Sequence, residues 1–225
     1  MRQPGYSVDT VLLTPSDRHL AVLLVRAPES AAERWMVPWG LPRATDATLT
    51  DAAVRVARAM VGGGGTPAWI DQVGAFADSR RHPSDTELSI GFAAAIPLGT
   101  LHSPREDSAW FPVIELPTLS LRQRDIITAS IGMIRAKIDS TPVAFRLLPP
   151  TFTLSELQRV YEILLGSRLH KASFRRALQA SALVQPTDEW RSEGRGRPAQ
   201  LFRYSPKRRP TARRGLRFDI VASRV

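Results

Sequence analysis

The stretch that most narrows what this chain can fold into is residues 153–204. Thr153-Leu154-Ser155-Glu156 has the form of a capping box, in which the threonine hydroxyl takes a free helix amide and the glutamate reaches back to the cap amide. Leu154, Leu157, Tyr161, Leu164 and Leu165 then make one apolar stripe, and Gly166 ends the helix. After a short turn the spacing predicts a second helix over 171–181. Phe174, Leu178 and the following Leu183 point inward, while Lys171, Ser173, Arg175, Arg176 and Gln179 stay outside. Val184, a polar loop containing Gly194-Arg195-Gly196-Arg197, and residues 200–204 read as a two-stranded hairpin. Helix, short turn, basic helix and basic hairpin is the order of a winged helix-turn-helix. There the second helix presents polar side chains to base edges in the major groove and the hairpin lies on phosphates.

Charge follows the same division. The chain carries a formal net charge of +10, yet residues 1–144 hold 14 Lys and Arg against 15 Asp and Glu. Residues 145–225 hold 17 against 6. A near-neutral front joined to a strongly basic back fits a sensor coupled to a polyanion-binding module. Double-stranded DNA is the expected partner. Lys171, Ser173, Arg175 and Arg176 are the residues expected to read or flank bases, and Arg195 and Arg197, set between glycines, those expected to hold phosphates. Arg203 and the tail from Lys207 add sequence-independent attraction. A solvated basic face used for protein contacts is the rival reading.

Several chemistries are excluded or disfavoured. With no cysteine there is no disulfide framework, no zinc finger and no thiol nucleophile. His19, His82, His102 and His170 show no ligand spacing, so no metal site and no catalytic residue is expected. Gly62 to Gly65 is not a phosphate loop, because no Lys-Ser/Thr pair follows. The N-terminus lacks the apolar core of a signal peptide, and the apolar run over 90–98 is about half a membrane span. A soluble, cytoplasmic protein with no membrane partner is expected.

The front part reads as mixed α/β. A hairpin of strands is expected over 7–13 and 19–25, then an irregular segment punctuated by Pro38, Gly40 and Pro42. Thr48 or Thr50 caps a helix with Leu49, Ala53, Val56, Ala57 and Met60 at helical spacing, stopped by Gly62 to Gly65. Strands follow over 69–76 and 87–96 around a polar loop, with a short one at 111–114. A long helix covers 121–138, and 142–150 is an interdomain seam.

Phe152, Leu154 to Leu157, Tyr161-Glu162, Leu169, Phe174-Arg175 and Arg197-Pro198-Ala199 resemble the C-terminal domain of the Nudix-related transcriptional regulators of NAD metabolism, the NrtR family. In front, VDTVLL, HLAVLLV, a Trp-Pro-Gly loop, Ala52-Ala53-x-Arg55 and DQVGAF follow the order of a Nudix domain. The resemblance spans about residues 7–205. It implies an α/β Nudix-like sensor and dimerisation domain over 1–141, an α+β winged helix-turn-helix over 142–206 and a basic tail over 207–225. It also implies a homodimeric, probable-repressor type of regulator of NAD biosynthesis or salvage genes, in a bacterial cytoplasm and associated with the nucleoid through DNA. The sensor of that family binds ADP-ribose or a related NAD derivative, so ADP-ribose or NAD is the expected effector, with no resident cofactor. Trp39, Arg43, Arg55, Phe76, Arg80 and Arg81 are the pocket candidates, since an aromatic ring can stack on adenine and an arginine fork can hold a diphosphate.

The Nudix helix itself departs from the family's enzyme pattern, Gly-x5-Glu-x7-Arg-Glu-x-x-Glu-Glu-x-Gly, whose glutamates hold magnesium. Anchored on Arg55, the positions that follow are Val56, Ala59 and Met60, and Asp46 or Ala47 falls near the upstream glutamate. The helix keeps Asp51 as its acid and carries Arg55 and Arg58. No hydrolase activity is therefore expected. The alternatives are a Nudix-type nucleotide diphosphate hydrolase with a nucleic-acid-binding appendage, and a dimeric scaffold without ligand sensing.

Overall fold

β1 (Tyr6–Pro15) is the strand around which the first sheet is laid. It runs antiparallel to β2 (Leu20–Arg26), the expected hairpin, with Leu13 opposite Val22. The short strands β3 (Trp35–Met36) and β4 (Trp39–Gly40) pair with β2 and β1 respectively. Helix α1 (Leu49–Val61) follows, and then β5 (Trp69–Phe76) and β6 (Leu88–Ala95). β6 lies parallel to β1 through eight register pairs from Tyr6–Leu88 to Leu13–Ala95. β7 (Ser108–Pro112) closes on the far side of β2. The order is β3-β2-β1-β6-β5, with β4 on β1 and β7 on β2, a mixed seven-stranded sheet. α2 (Leu121–Lys137) completes this part.

This computed structural model describes residues 5–16, 18–29, 31, 33–61, 66–79, 82–97, 106–192 and 198–206. The expected helix stop at Gly62 to Gly65 and the tail over 207–225 lie outside the described residues. The chain divides into two compact units, Met1–Ile134 and Arg135–Val225. Among the described residues no helix is long and apolar enough to cross a membrane.

β1 is buried along nearly its whole length, because both of its faces are covered. On one face Val8 packs with Ala52, Ala53 and Phe92, and Leu12 with Leu23, Ala57, Val61, Ala94 and Ile96. The alanines of α1 carry no bulk, so the helix backbone can approach the sheet closely. On the other face Gly91 of β6 has no room for a side chain. A Cβ there would lie 2.9 Å from Phe76 Cε2 and 3.1 Å from Ile126 Cγ2.

In the second unit, α3 (Val143–Arg146) occupies part of the segment read from sequence as a seam. Val143, Ala144 and Phe145 are all buried, so this stretch is core rather than linker. β8 (Thr151–Phe152), α4 (Leu154–Leu165), α5 (Lys171–Ser181), β9 (Val184–Arg191) and β10 (Ala199–Tyr204) follow. The three strands form an antiparallel sheet in the order β8-β10-β9. Helices packed on this hairpin sheet give the α+β winged helix expected from sequence.

Replacing Gly91 by Ala is expected to lower unfolding free energy by about 1–3 kcal/mol, because Phe76 or Ile126 must shift. Chemical denaturation of the variant measures this, and unchanged stability would show that the Phe76 ring gives way freely.

Candidate functional site

The turn between α4 and α5 is built by short-range polar contacts. Thr153 Oγ1 accepts from the Glu156 amide at 3.1 Å, and Glu156 Oε2 accepts from the Thr153 amide at 2.6 Å, completing the capping box. Gly166 ends α4 with φ 71°, a left-handed conformation that favours glycine. Its amide donates to the Glu162 carbonyl, and Arg135 Nε donates to the Leu164 carbonyl at 3.0 Å, so the last turn of α4 is capped from two directions. Glu162 Oε1 accepts from the Leu169 amide at 2.9 Å and from Gln158 Nε2 at 3.0 Å, and that amide group also donates to the Leu169 carbonyl. The chain entering α5 is thereby fixed to the side of α4.

Aromatic packing sets the helix orientation. Phe145 stacks on Tyr204 of β10 with centroids 4.5 Å apart and meets Tyr161 of α4 edge-on at 6.1 Å. Tyr161 in turn meets Phe174 of α5 edge-on at 5.6 Å. Phe174 and Leu178 are buried, as expected, and Lys171, Arg175, Arg176 and Gln179 are exposed. Ser173 is half-buried, with its hydroxyl 3.2 Å from Nδ1 of His170, the N-cap residue.

With about 100° between successive helix residues, the side opposite Phe174 and Leu178 is made by Ala172, Arg176, Gln179 and Ala180, all exposed. Arg175 sits on the flank toward the wing, lining a cavity with residues of β9 and β10. Lys171, Arg175 and Arg176 make no ion pair among the described residues. Arg195 and Arg197 lie outside the described residues. Arg203 is exposed on β10 and donates to Gln185 Oε1 at 3.0 Å.

In the first unit, Thr48 is the helix cap. Its hydroxyl accepts from the Asp51 amide at 3.1 Å, and Asp51 Oδ2 accepts from both the amide and hydroxyl of Thr48 at 2.9 Å. Arg55 grips Asp46 through Nε at 3.0 Å and Nη2 at 2.6 Å, and donates also to the Leu41 carbonyl at 2.9 Å. The Asp46 carboxylate accepts from the Arg43 amide as well. Arg55 therefore ties the loop after β4 to the start of α1. Its hydrogen bonds hold the Asp46 carboxyl down at about 2, against an ordinary value of 3.8, outweighing burial, which opposes the charge. The same pairing raises the Arg55 pKa.

The expected pocket residues are only partly brought together. Trp39, on β4, is next to Gly40, over which the Arg55 guanidinium lies, and Arg43 projects from the adjoining loop. Phe76 packs instead over Gly91 on the sheet face that meets Ile126. Arg80 and Arg81 lie outside the described residues.

Sequence reading missed a buried polar layer. His82 Nε2 faces Asp9 Oδ2 at 3.2 Å, and both side chains are essentially inaccessible. His82 Nδ1 accepts from the Ser84 amide at 3.1 Å, and Ser7 donates to Asp9 Oδ1 at 2.6 Å. Trp39 meets the His82 ring edge-on at 4.9 Å. Arg122 of α2 holds Asp78 at 3.0 Å. The one available signal was Ser7 and Asp9 alternating with apolar residues in a strand otherwise built for burial.

Comparison with known proteins adds to this geometry. A family model described as the NrtR DNA-binding winged helix domain matches residues 144–204. The chain is 28% identical over 209 residues to the "ADPR responsive transcriptional repressor NtrR" of Acinetobacter baylyi, covering 90% of this chain and 82% of that protein. Among solved structures, it resembles Shewanella oneidensis NrtR in complex with a 27mer DNA. There the TM-score is 0.77 and the identity 26%, over 90% of this chain and 94% of that one. A MutT/nudix family protein from Enterococcus faecalis superposes with TM-score 0.71 at 18% identity, over 91% and 89% of the two chains, a likeness of fold.

Because the Asp46 carboxyl titrates below its unfolded value, its pairing with Arg55 stabilises the fold above about pH 4 and loses effect as pH falls toward 2. Asp46→Asn is expected to cost about 1–2 kcal/mol at pH 7, the size of a charged hydrogen bond. Urea denaturation from pH 7 down to 2.5 should show the gap between wild type and variant closing. A gap of constant size would refute the assignment.

Proposed function

We infer, from the membership of this chain in the NrtR family of Nudix-related regulators, that it is a DNA-binding transcriptional repressor whose Nudix-like part senses ADP-ribose. The observation that carries the reading is the winged helix over 144–204, with an α5 whose solvent side carries free cations. Similarity over 90% of the chain to a repressor described as ADPR-responsive supports the sensing half. Functionally, residues 1–141 serve as sensor and dimerisation domain, 142–206 as the DNA reader, and 207–225 as a basic tail. The working form is a homodimer, and its two-fold symmetry would match a palindromic operator.

In the DNA-bound state α5 enters the major groove. Arg176 and Gln179 face the base edges, and Arg suits guanine while Gln suits adenine. Lys171, Ser173 and Arg175 flank that face, with Arg195 and Arg197 on phosphates. In the sensor, Trp39 offers a ring for adenine and Arg43 a cation for the diphosphate. Arg55 acts through the loop that it holds, since its guanidinium is already engaged by Asp46. Phe76, Arg80 and Arg81 complete the candidate set.

We assign no hydrolysis to this domain. A magnesium cradle needs several carboxylates converging from the helix. α1 offers Asp51, which is taken up in the N-cap, and the upstream Asp46 is neutralised by Arg55. These residues do not fit the metal of the Nudix enzymes, and no step is routed through it.

The test is a binding titration against the DNA upstream of this gene and of NAD biosynthesis genes, with and without ADP-ribose or NAD. Competitor-resistant binding is expected, with ADP-ribose weakening it by the roughly 5- to 150-fold of ordinary allosteric coupling. Binding that no nucleotide alters would leave a repressor without a sensor. Magnesium-dependent turnover of ADP-ribose, with no specific DNA binding, would replace the regulator by an enzyme.

A further inference from the structure

The winged domain holds a cavity of about 290 Å³ between the start of α4, the wing-side flank of α5 and the wing. It is lined by Ser155, Arg175, Trp190, Gln200 and Phe202, among others. Its shape depends on an irregularity of the hairpin. Trp190 pairs with Gln200 and Pro186 with Phe202, so β9 carries extra residues between two positions adjacent in the β10 ladder. Thr187 fastens that bulge, donating to the Leu201 carbonyl at 3.0 Å, while Gln200 Nε2 donates to the Thr187 carbonyl at 3.2 Å. A bulge redirects the side chains beyond it.

The residue so redirected is Trp190, which is 56% exposed. A large aromatic left open to solvent on a domain that otherwise buries Phe145, Phe152, Tyr161 and Phe174 is out of place unless something covers it. The surrounding charge says what. Arg175 stands at the wall with no ion pair among the described residues. The carboxylate on the adjoining first turn, Glu156, is occupied by Arg191 at 2.7 Å and by the Thr153 amide at 2.6 Å. The cavity thus presents a cation, a hydroxyl and an indole N–H beside an apolar surface. It lies at the lower edge of the roughly 300–1,000 Å³ typical of small-molecule pockets. Arg175 belongs to α5, whose neighbouring face is the one turned to the DNA.

We propose that this cavity is a seat for one sugar–phosphate unit of the DNA backbone, with Trp190 packed on the deoxyribose and Arg175 and Ser155 holding the phosphate. Arg175 is then a positioning contact rather than a base reader, and base discrimination falls to Arg176 and Gln179. The proposal rests on the DNA-binding reading above. Contacts to sugar and phosphate fix register and carry no sequence information directly.

The experiment selects a preferred duplex for the wild-type chain from a random pool. Affinities are then measured for that duplex and for an unrelated mixed-sequence duplex, over a range of salt. Trp190→Ala should weaken both by a similar factor, about tenfold for one lost aromatic contact, with Trp190→Phe recovering part of it. Arg175→Ala should do likewise and lower the salt slope by about 1. Gln179→Ala should weaken the selected duplex alone. Since Trp190 is exposed, melting temperature should not move. If the wild type binds DNA while Trp190→Ala matches it on both duplexes, the seat is refuted. Loss confined to the selected duplex would make Trp190 a base reader and overturn the proposal too. Failure of the wild type to bind any duplex would instead remove the DNA-binding reading itself, and the seat with it.

Discussion

The chain of rings from Tyr204 through Phe145 and Tyr161 to Phe174 is the contact on which the DNA-reading surface depends. Each ring comes from a different element: β10, α3, α4 and α5. Edge-on and offset-stacked rings have preferred geometries, so this packing fixes direction as well as burial. The exposed side of α5 is therefore whatever Phe174 and Leu178 leave outside. The polar clamp of Glu162 and Gln158 on Leu169 sets where α5 begins, and the rings set how it is rolled. Neither alone would present Arg176 and Gln179 to one side and Arg175 to the other.

The first unit solves a different problem, that of placing polar groups under a sheet buried on both faces. Asp9 and His82 are held in a layer with Ser7, Ser84 and Ser89, and Arg122 is bound to Asp78 nearby. An unpaired charge there would be strongly destabilising, so each is given partners. Trp39 rests edge-on against His82, which links the candidate effector region to this layer. Arg55 and Asp46 stiffen the loop on the other side of Trp39. The residues that replaced an acidic helix thus perform a structural task.

Much of the second unit was legible in the sequence because its signals are local. The capping box, the apolar stripe and the glycine stop lie within one helix length, and each reports on contacts a few residues away. Of the candidate DNA contacts, Lys171, Arg175 and Arg176 are exposed on α5 as expected, but separating Arg175 from Arg176 needed the roll of the helix. α3 was hidden because Pro142, Pro149 and Pro150 bracket it and suggest a linker. Trp190 was hidden because it sits in a polar stretch, and its position depends on a bulge that no short pattern marks. In the first unit, the hairpin and α1 were readable, whereas the β1–β6 pairing joins residues about 80 positions apart and leaves no local trace. The same holds for Phe76, whose apolar character fitted a ligand pocket and a sheet face equally well.

The division of α5 into two working sides follows from the charge of the domain that carries it. Residues 145–225 hold 17 Lys and Arg against 6 Asp and Glu, a surplus that attracts any duplex alike. Adding cations there raises affinity for every sequence and cannot by itself improve discrimination. Discrimination requires directed hydrogen bonds at short range, and therefore close approach of the helix backbone to the groove floor. The outward side of α5 meets that need: Ala172 and Ala180 leave space around Arg176 and Gln179. A helix lined with long cations on that side would stand farther off and read less. Placing Arg175 and an uncharged Trp190 at the wing-side cavity separates holding the backbone from reading the bases, so that each can be strong without weakening the other.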